Sequence, residues 1–361
     1  MVNYKHNLIN VTNSLLKHYN AKTHHNTLPL LDEYLAKNYK HVIVMLLDGM
    51  GINILNNLPK DSFLRKNIKT TLSSVFPPTT VAATNAFLRG QTPYELGFLG
   101  WCQYNKFENK TDTIFLKRDY YTNEKIINNL YDLLLRPNFL EQIKEVNKDL
   151  HVEAIFPAPI NGSDYETFTE QLDRLLMITK GKRSLSYCYF DEPDATIHKE
   201  GINGPKAIDK LKYLNEIVYS FRKKLDSNVL LIIVADHGLI DVEYLYVKDY
   251  KEMVETFYRL PSIEDRMKTF FVKPECKDKF VSLFNKYFQP GFILYTKKEL
   301  LKSNLFGYGE INPILDSFIG EYTAISISNK AIAYEIDENP FKSHHAGKTL
   351  EELSVPLIIL T

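Results

Sequence analysis

Five short stretches of this 361-residue chain carry side chains that can do chemistry. "LLDGMG" places Asp48 at the end of an apolar run, before glycines that let the backbone turn sharply. "FPPTTVAATNAFLRG" sets Thr79 and Thr80 in front of the helix formers Ala82, Ala83, Ala86, Phe87 and Leu88. "YFDEPDATIHKEG" spaces Asp194 and His198 four apart, which puts both on one face of a helix. "IIVADHGL" ends an apolar run in Asp236 and His237, and buried charge demands partners. "SHHAGKTLEELSVPLIIL" brings His344 and His345 ahead of the last apolar run. Carboxylates and imidazoles together are what two zinc-like ions need. A hydroxyl at the first turn of a helix sits beside unpaired N–H groups and the positive dipole end, where an anion binds. Plainer readings stand beside these: Thr79 or Thr80 as an N-cap, Asp48 as a helix cap, the Asp194 segment as a solvated turn.

The elements that must hold these residues follow from the apolar runs. Strand candidates are His41 to Leu47, Thr70 to Phe76, His151 to Phe156, Ser184 to Phe190, Val229 to Ala235 and Val355 to Leu360, alternating with amphipathic segments. That alternation predicts an α/β fold, a mostly parallel sheet flanked by helices. Asp48, Asp191 to Asp194, and Asp236 with His237 directly follow three of these runs, and ligands of open α/β sheets bind at the carboxyl ends of the strands. Residues 1 to 38 are expected to form helices on the core, while Trp101 to Asn147 are too irregular to place. From Val242 to Asp337 the alternation gives way to aromatic- and Lys-rich segments. We expect an inserted α+β cap over residues 242–337, with 1–241 and 338–361 forming the catalytic core. Its Phe257, Tyr258, Phe270, Phe271, Tyr287 and Phe288 are either a wall for a base or acyl group or the core of a small domain.

Composition narrows the partners. Lys plus Arg and Asp plus Glu both number 44, so no global basic field exists to hold extended nucleic acid. The three cysteines are widely spaced and fit no metal-finger pattern, which suits reduced thiols. The first residues lack the apolar core of a signal peptide and no apolar run reaches membrane-spanning length. The expectation is a soluble cytoplasmic protein with a small substrate and no membrane partner.

Taken in order, Asp48 to Gly100, Ser184 to Gly238 and the last twenty residues resemble the alkaline phosphatase superfamily, in its type I phosphodiesterase and nucleotide pyrophosphatase branch. The resemblance implies that Thr80 is the nucleophile and also binds a metal. It implies that Asp48, Asp236 and His237 complete the first metal site, and that Asp194, His198 and His345 hold the second. Two divalent ions, Zn2+ foremost and Mn2+ as the alternative, would serve a phosphoric ester hydrolase cutting phosphodiester or nucleotide pyrophosphate bonds through a phosphothreonine. "FLRGQTPYELG" resembles the family's "TG-x-x-P-x-x-HG", with Leu96 where His is usual. Trp101 stands at the position of the family's phosphate-contacting Asn, and Asn85 or Asn105 could supply that contact. Asn85 and Trp101 are therefore the candidate substrate contacts. The same metal logic also serves phosphomonoesterases, phosphonate hydrolases and phosphomutases, and a non-catalytic binding protein could keep the fold. "PPTTV" is not the "C-x-P-x-R" context of a sulfatase.

Overall fold

Six strands form the central sheet, in the order Ile68–Ser73, Ser354–Leu360, Val229–Val234, His41–Leu47, Ser184–Phe190, His151–Ile155. The computed structural model describes residues 2–361. His41–Leu47 pairs in parallel with Val229–Val234 on one side and Ser184–Phe190 on the other. Ser354–Leu360 runs antiparallel to both of its neighbours, so the sheet is mostly parallel. Every residue of His41–Leu47 and Val229–Val234 is buried. Helices on both faces remove the solvated side that would otherwise impose polar alternation. The second strand ends earlier than its apolar pattern suggests. Beyond Ser73 the chain leaves the ladder, Ser74 N–H donating 2.7 Å to Leu353 O, and carries Pro77 to Thr80 across the strand ends.

The N-terminal helices pack on the core as expected. Leu8–His18 is buried over its first nine residues and supports the helix Thr80–Arg89. Thr12 Oγ1 donates to Phe87 O and Asn13 Nδ2 to Gly90 O at 2.8 Å, so the asparagine-rich face of that helix is hydrogen-bonded rather than wet.

A second sheet of seven strands has the order Phe292–Thr296, Tyr322–Ser326, Met267–Val272, Phe257–Ile263, Cys102–Asn105, Lys110–Thr113, Arg118–Asp119. Its pairings are antiparallel throughout. Three of these strands come from the Trp101 to Asn147 stretch that the sequence leaves unplaced, joined to the later segment where Cys102 pairs with Ile263. They are short and polar, so no periodicity marks them. The helix Lys277–Phe288 covers one face of this sheet, and Phe257, Phe270, Phe280, Phe284 and Phe288 form a separate apolar cluster there.

Arg266, fully buried, locks the two sheets together. It grips Glu352 through two bonds of 2.6 and 2.9 Å and also donates to the carbonyls of Ser328 and Lys330. Removing one member of a buried ion pair leaves the other charged and unpaired. Glu352→Ala should therefore lower stability by about 3–5 kcal/mol in urea denaturation. A loss under about 1 kcal/mol, the value of an exposed pair, would show that water reaches the guanidinium.

Candidate active site

Three adjacent parallel strands deliver three aspartates to one place. Asp48 follows His41–Leu47, Asp236 follows Val229–Val234 two residues on, and Asp194 follows Ser184–Phe190 after a short turn. Gly49, at φ 67°, lets the chain turn there, and a Cβ on it would lie 2.8 Å from Asp194 Cβ. Only glycine permits this approach. Asp194 opens the helix Asp194–Glu200, and His198, one turn along, brings Nε2 to 3.1 Å from Asp194 Oδ2. His345 enters from the loop before the closing strand.

These side chains fall into two groups. Donor atoms of Asp48, Asp236 and His237 lie within 4.8 Å of one another, and so do those of Asp194, His198 and His345. The rings of His237 and His345, 3.9 Å between centroids, link the groups. Thr80 Oγ1 sits 3.1 Å from His237 Nε2 and 3.4 Å from Asp48 Oδ1. His198 donates its Nδ1–H to Ser343 O at 2.8 Å, which leaves the Nε2 lone pair facing Asp194. His344 lies outside the second group; it pairs with Ile240 in a two-strand ribbon, and its Nδ1 accepts from His345 N–H at 2.9 Å.

Three buried carboxylates close to one another set the electrostatics of the cluster. Burial, with the charges of Asp236 and Asp194, pushes the Asp48 carboxyl well above its ordinary range, and burial raises Asp236 too. Asp194 is buried as well, yet His198 holds it below its ordinary value. Burial lowers His345 far below the usual imidazole range and His344 to about 4, so both rings are neutral, the form that ligates metal. Asp194 Oδ1, Asp236 Oδ2 and His345 Nδ1 are buried without a hydrogen-bond partner. Buried acceptors in that state are costly. A carboxylate-and-imidazole set with open lone pairs fits divalent cations such as Zn2+ or Mn2+.

Thr79 and Thr80 divide their roles. Thr79 is the N-cap residue of Thr80–Arg89, yet its side chain does not cap. It donates instead to Glu264 Oε1 at 2.6 Å. The first N–H groups of that helix are thus left without a side-chain cap beside the Thr80 hydroxyl, as an anion site requires.

A cavity of about 840 Å³ opens over Thr80, Asp194, His198 and His345. Trp101 and the tyrosines 120, 121, 244, 246 and 334 wall it, with Glu264 and Lys268 between them. Tyr244, Tyr246, Glu264, Lys268 and Tyr334 come from the segment after Val242, which thus reaches over the strand ends. None of the six aromatics considered as a wall lines this cavity. Phe257, Phe270 and Phe288 are in the second apolar cluster, Phe271 is buried against Tyr104, Tyr287 stacks on Tyr250, and Tyr258 is half exposed. Asn85 is a correction as well. It donates from Nδ2 to Val81 O at 2.8 Å and accepts from Arg89 at 2.9 Å, turned away from the cavity inside its own helix. Asn105 donates to Asn128 O at 2.8 Å and does not line the cavity either. Trp101 does line it, while its N–H donates 2.7 Å to Glu264. Sequence reasoning missed Glu264 and the five tyrosines; a lone acidic turn and scattered tyrosines carry no periodic signal. Burial pushes the Glu264 carboxyl up to about 7.

Residues 42–278 match the model of the family described as type I phosphodiesterase / nucleotide pyrophosphatase. No curated protein sequence matches the chain. Among solved structures, murine ectonucleotide pyrophosphatase/phosphodiesterase 5 superposes with a TM-score of 0.68 at 15% identity, over 88% of this chain and 87% of that one. An inactive variant of it in complex with AMP gives 0.67 at the same identity and coverage. The human protein of the same name gives 0.65, again at 15% identity over 88% and 87% of the two chains.

Proposed function

Because the chain belongs to the type I phosphodiesterase and nucleotide pyrophosphatase family and is a phosphodiester or pyrophosphate hydrolase, we propose that it works in two steps through a phosphothreonine on Thr80. The observation that carries this reading is the placement of Thr80 Oγ1, 3.1 Å from His237 Nε2 and 3.4 Å from Asp48 Oδ1, while the neighbouring hydroxyl is engaged elsewhere.

Asp48, Asp236 and His237 would hold one divalent ion and Asp194, His198 and His345 the other, with Thr80 shared toward the first. When bound, two such ions supply the positive charge that favours the threonine alkoxide and offsets charge on the leaving oxygen. The chain's own groups do the rest. Asp48 Oδ1 and His237 Nε2 flank the Thr80 hydroxyl and fix the direction in which its oxygen points. In the first step the Thr80 hydroxyl gives up its proton, the Oγ–P bond forms, the bond from phosphorus to the leaving oxygen breaks, and the alcohol or phosphate fragment departs with that oxygen, the alcohol taking up a proton. In the second, water attacks the phosphorus, the Oγ–P bond breaks, one proton of the water passes to Oγ to restore the Thr80 hydroxyl, and the phosphate monoester departs. In both, the uncapped amides that begin the Thr80–Arg89 helix face the equatorial oxygens and stabilise their charge. The tyrosine-rich wall and Trp101 would receive the organic part of the substrate, and the AMP held by the murine neighbour supports a nucleotide-sized ligand. Cys102, Cys188 and Cys276 are unpaired, which supports residence in a reducing compartment such as the cytosol.

Kinetics on three chromogenic esters test the substrate class. With the Zn2+- or Mn2+-loaded protein, kcat/KM for bis-p-nitrophenyl phosphate or a p-nitrophenyl nucleotide ester should exceed that for p-nitrophenyl phosphate at least tenfold. The opposite ranking would make it a monoesterase.

A further inference from the structure

One three-residue turn of the inserted segment, Glu264-Asp265-Arg266, joins the strands Phe257–Ile263 and Met267–Val272 and buries its first and last charges at the edge of the catalytic site. Arg266 grips Glu352, which also accepts from Gly347 N–H at 2.7 Å, in the loop that carries His345. Glu264 faces the other way. A single oxygen, Oε1, accepts from Thr79 Oγ1 at 2.6 Å and from Trp101 N–H at 2.7 Å. The turn is held under strain: Ile263 has φ 85°, an outlier for a β-branched residue, and such strain persists only where the surroundings impose it. Gly100 makes room, since a Cβ there would lie 2.8 Å from Glu264 Cγ.

We propose that Glu264 is a positioning residue: by anchoring the hydroxyl of Thr79 and the amide of Trp101, it sets the first turn of the Thr80–Arg89 helix, and thereby the direction of Thr80 Oγ1, against the cavity wall. A carboxylate taken out of water is expensive to keep, and here both of its partners flank groups that face the substrate. Thr79 would otherwise be free to cap its helix, and its side chain would then turn the helix start by a rotamer. Misplacement of a nucleophile by about 1 Å can cost a hundredfold, so a small effect on geometry has a large effect on rate. The turn after Ile263 thus acts on the nucleophile through Thr79.

The inference rests on Thr80 as nucleophile, so the test carries a control for that. Steady-state kinetics on bis-p-nitrophenyl phosphate, metal content and melting temperature are measured for Glu264→Ala, Glu264→Gln, Thr79→Val, Thr79→Ser and Thr80→Ala. Glu264→Ala should lower kcat ten- to hundredfold with KM within threefold of the parent and the metal content unchanged. Glu264→Gln should keep at least a third of kcat, because one amide oxygen can still accept both bonds. Thr79→Val should lose about tenfold and Thr79→Ser little, and Thr79→Val added to Glu264→Ala should cost almost nothing further, as expected for groups acting through one contact. Full activity in Glu264→Ala, with Thr80→Ala inactive, would overturn the proposal and leave the nucleophile standing. A loss confined to KM, or Glu264→Gln as impaired as Glu264→Ala, would make the carboxylate a substrate contact and overturn it too. Should Glu264→Ala not fold, the contrast between Thr79→Val and Thr79→Ser decides alone: equal rates refute positioning. Activity in Thr80→Ala would refute the phosphothreonine reading itself, whatever Glu264 does.

Discussion

Thr80→Ala is expected to lower kcat by more than a thousandfold while moving the melting temperature little. A thousandfold is about 4 kcal/mol of transition-state stabilisation, and a covalent route has no substitute once its hydroxyl is gone. The geometry leaves no spare: Thr79 Oγ1 is spent on Glu264, and Thr84 Oγ1 donates back to Thr80 O at 2.6 Å. The competing explanation is structural. An N-cap threonine replaced by alanine costs about 0.5–2 kcal/mol of stability and leaves turnover per folded molecule intact. Thr80, however, is the first residue within the helix, and its hydroxyl bonds to His237 and Asp48 rather than to backbone amides. Its removal should therefore read out in rate and not in folding. Thr80→Ser should keep part of the activity, since a primary hydroxyl can occupy the same place. Single-turnover kinetics with radiolabelled phosphate in the substrate gives the direct check: label trapped on the parent protein by acid quench, and none on Thr80→Ala. Turnover by Thr80→Ala at the parent rate would end the phosphothreonine mechanism.

Removing metal should be as severe. Exhaustive dialysis against a chelator is expected to abolish activity, and Zn2+ or Mn2+ should restore it, with two ions bound per chain by elemental analysis. The physical argument is the buried charge: Asp48, Asp194 and Asp236 are all buried, and among the described residues no lysine or arginine pairs with any of them. Without cations the cluster must take up protons, as the raised Asp48 and Asp236 carboxyls indicate. Ligation should also stabilise the fold, by about 2.7 kcal/mol for each site at a free ion concentration one hundred times its Kd. Asp236→Asn should lose one ion and at least a hundredfold in rate, while His345→Ala should lose the other. His344→Ala keeps both if the grouping by distance is the functional one. A protein that binds one ion or none, or that turns over fully in chelator, would refute the two-metal reading; loss of an ion from His344→Ala but not His345→Ala would reverse that assignment.

Much of this was legible in the sequence because buried parallel strands are uniformly apolar and must end where the backbone turns. "HVIVMLL", "SLSYCYF" and "VLLIIVA" announce themselves, and the polar residues after them converge for a geometric reason, since adjacent parallel strands share their carboxyl ends. Local spacing was enough to put Asp194 and His198 on one face of a helix. Other features were decided only by contacts between residues far apart in the chain. His344 and His345 are identical in type and adjacent, so only the pairing of Ser343–His344 with Ile240–Asp241 determines which ring turns toward Asp194. Asn85 carries a suitable amide, but Arg89, one turn away, claims its oxygen. Cys102–Asn105 pairs locally with Lys110–Thr113, but that hairpin enters the second sheet only where Cys102 meets Ile263, a partner more than 150 residues along that no local pattern announces. Glu264 reads as a solvated turn residue until that pairing carries it to Thr79. Burial and strand ends are written in single segments; partnership belongs to pairs, and tertiary structure alone brings the pairs together.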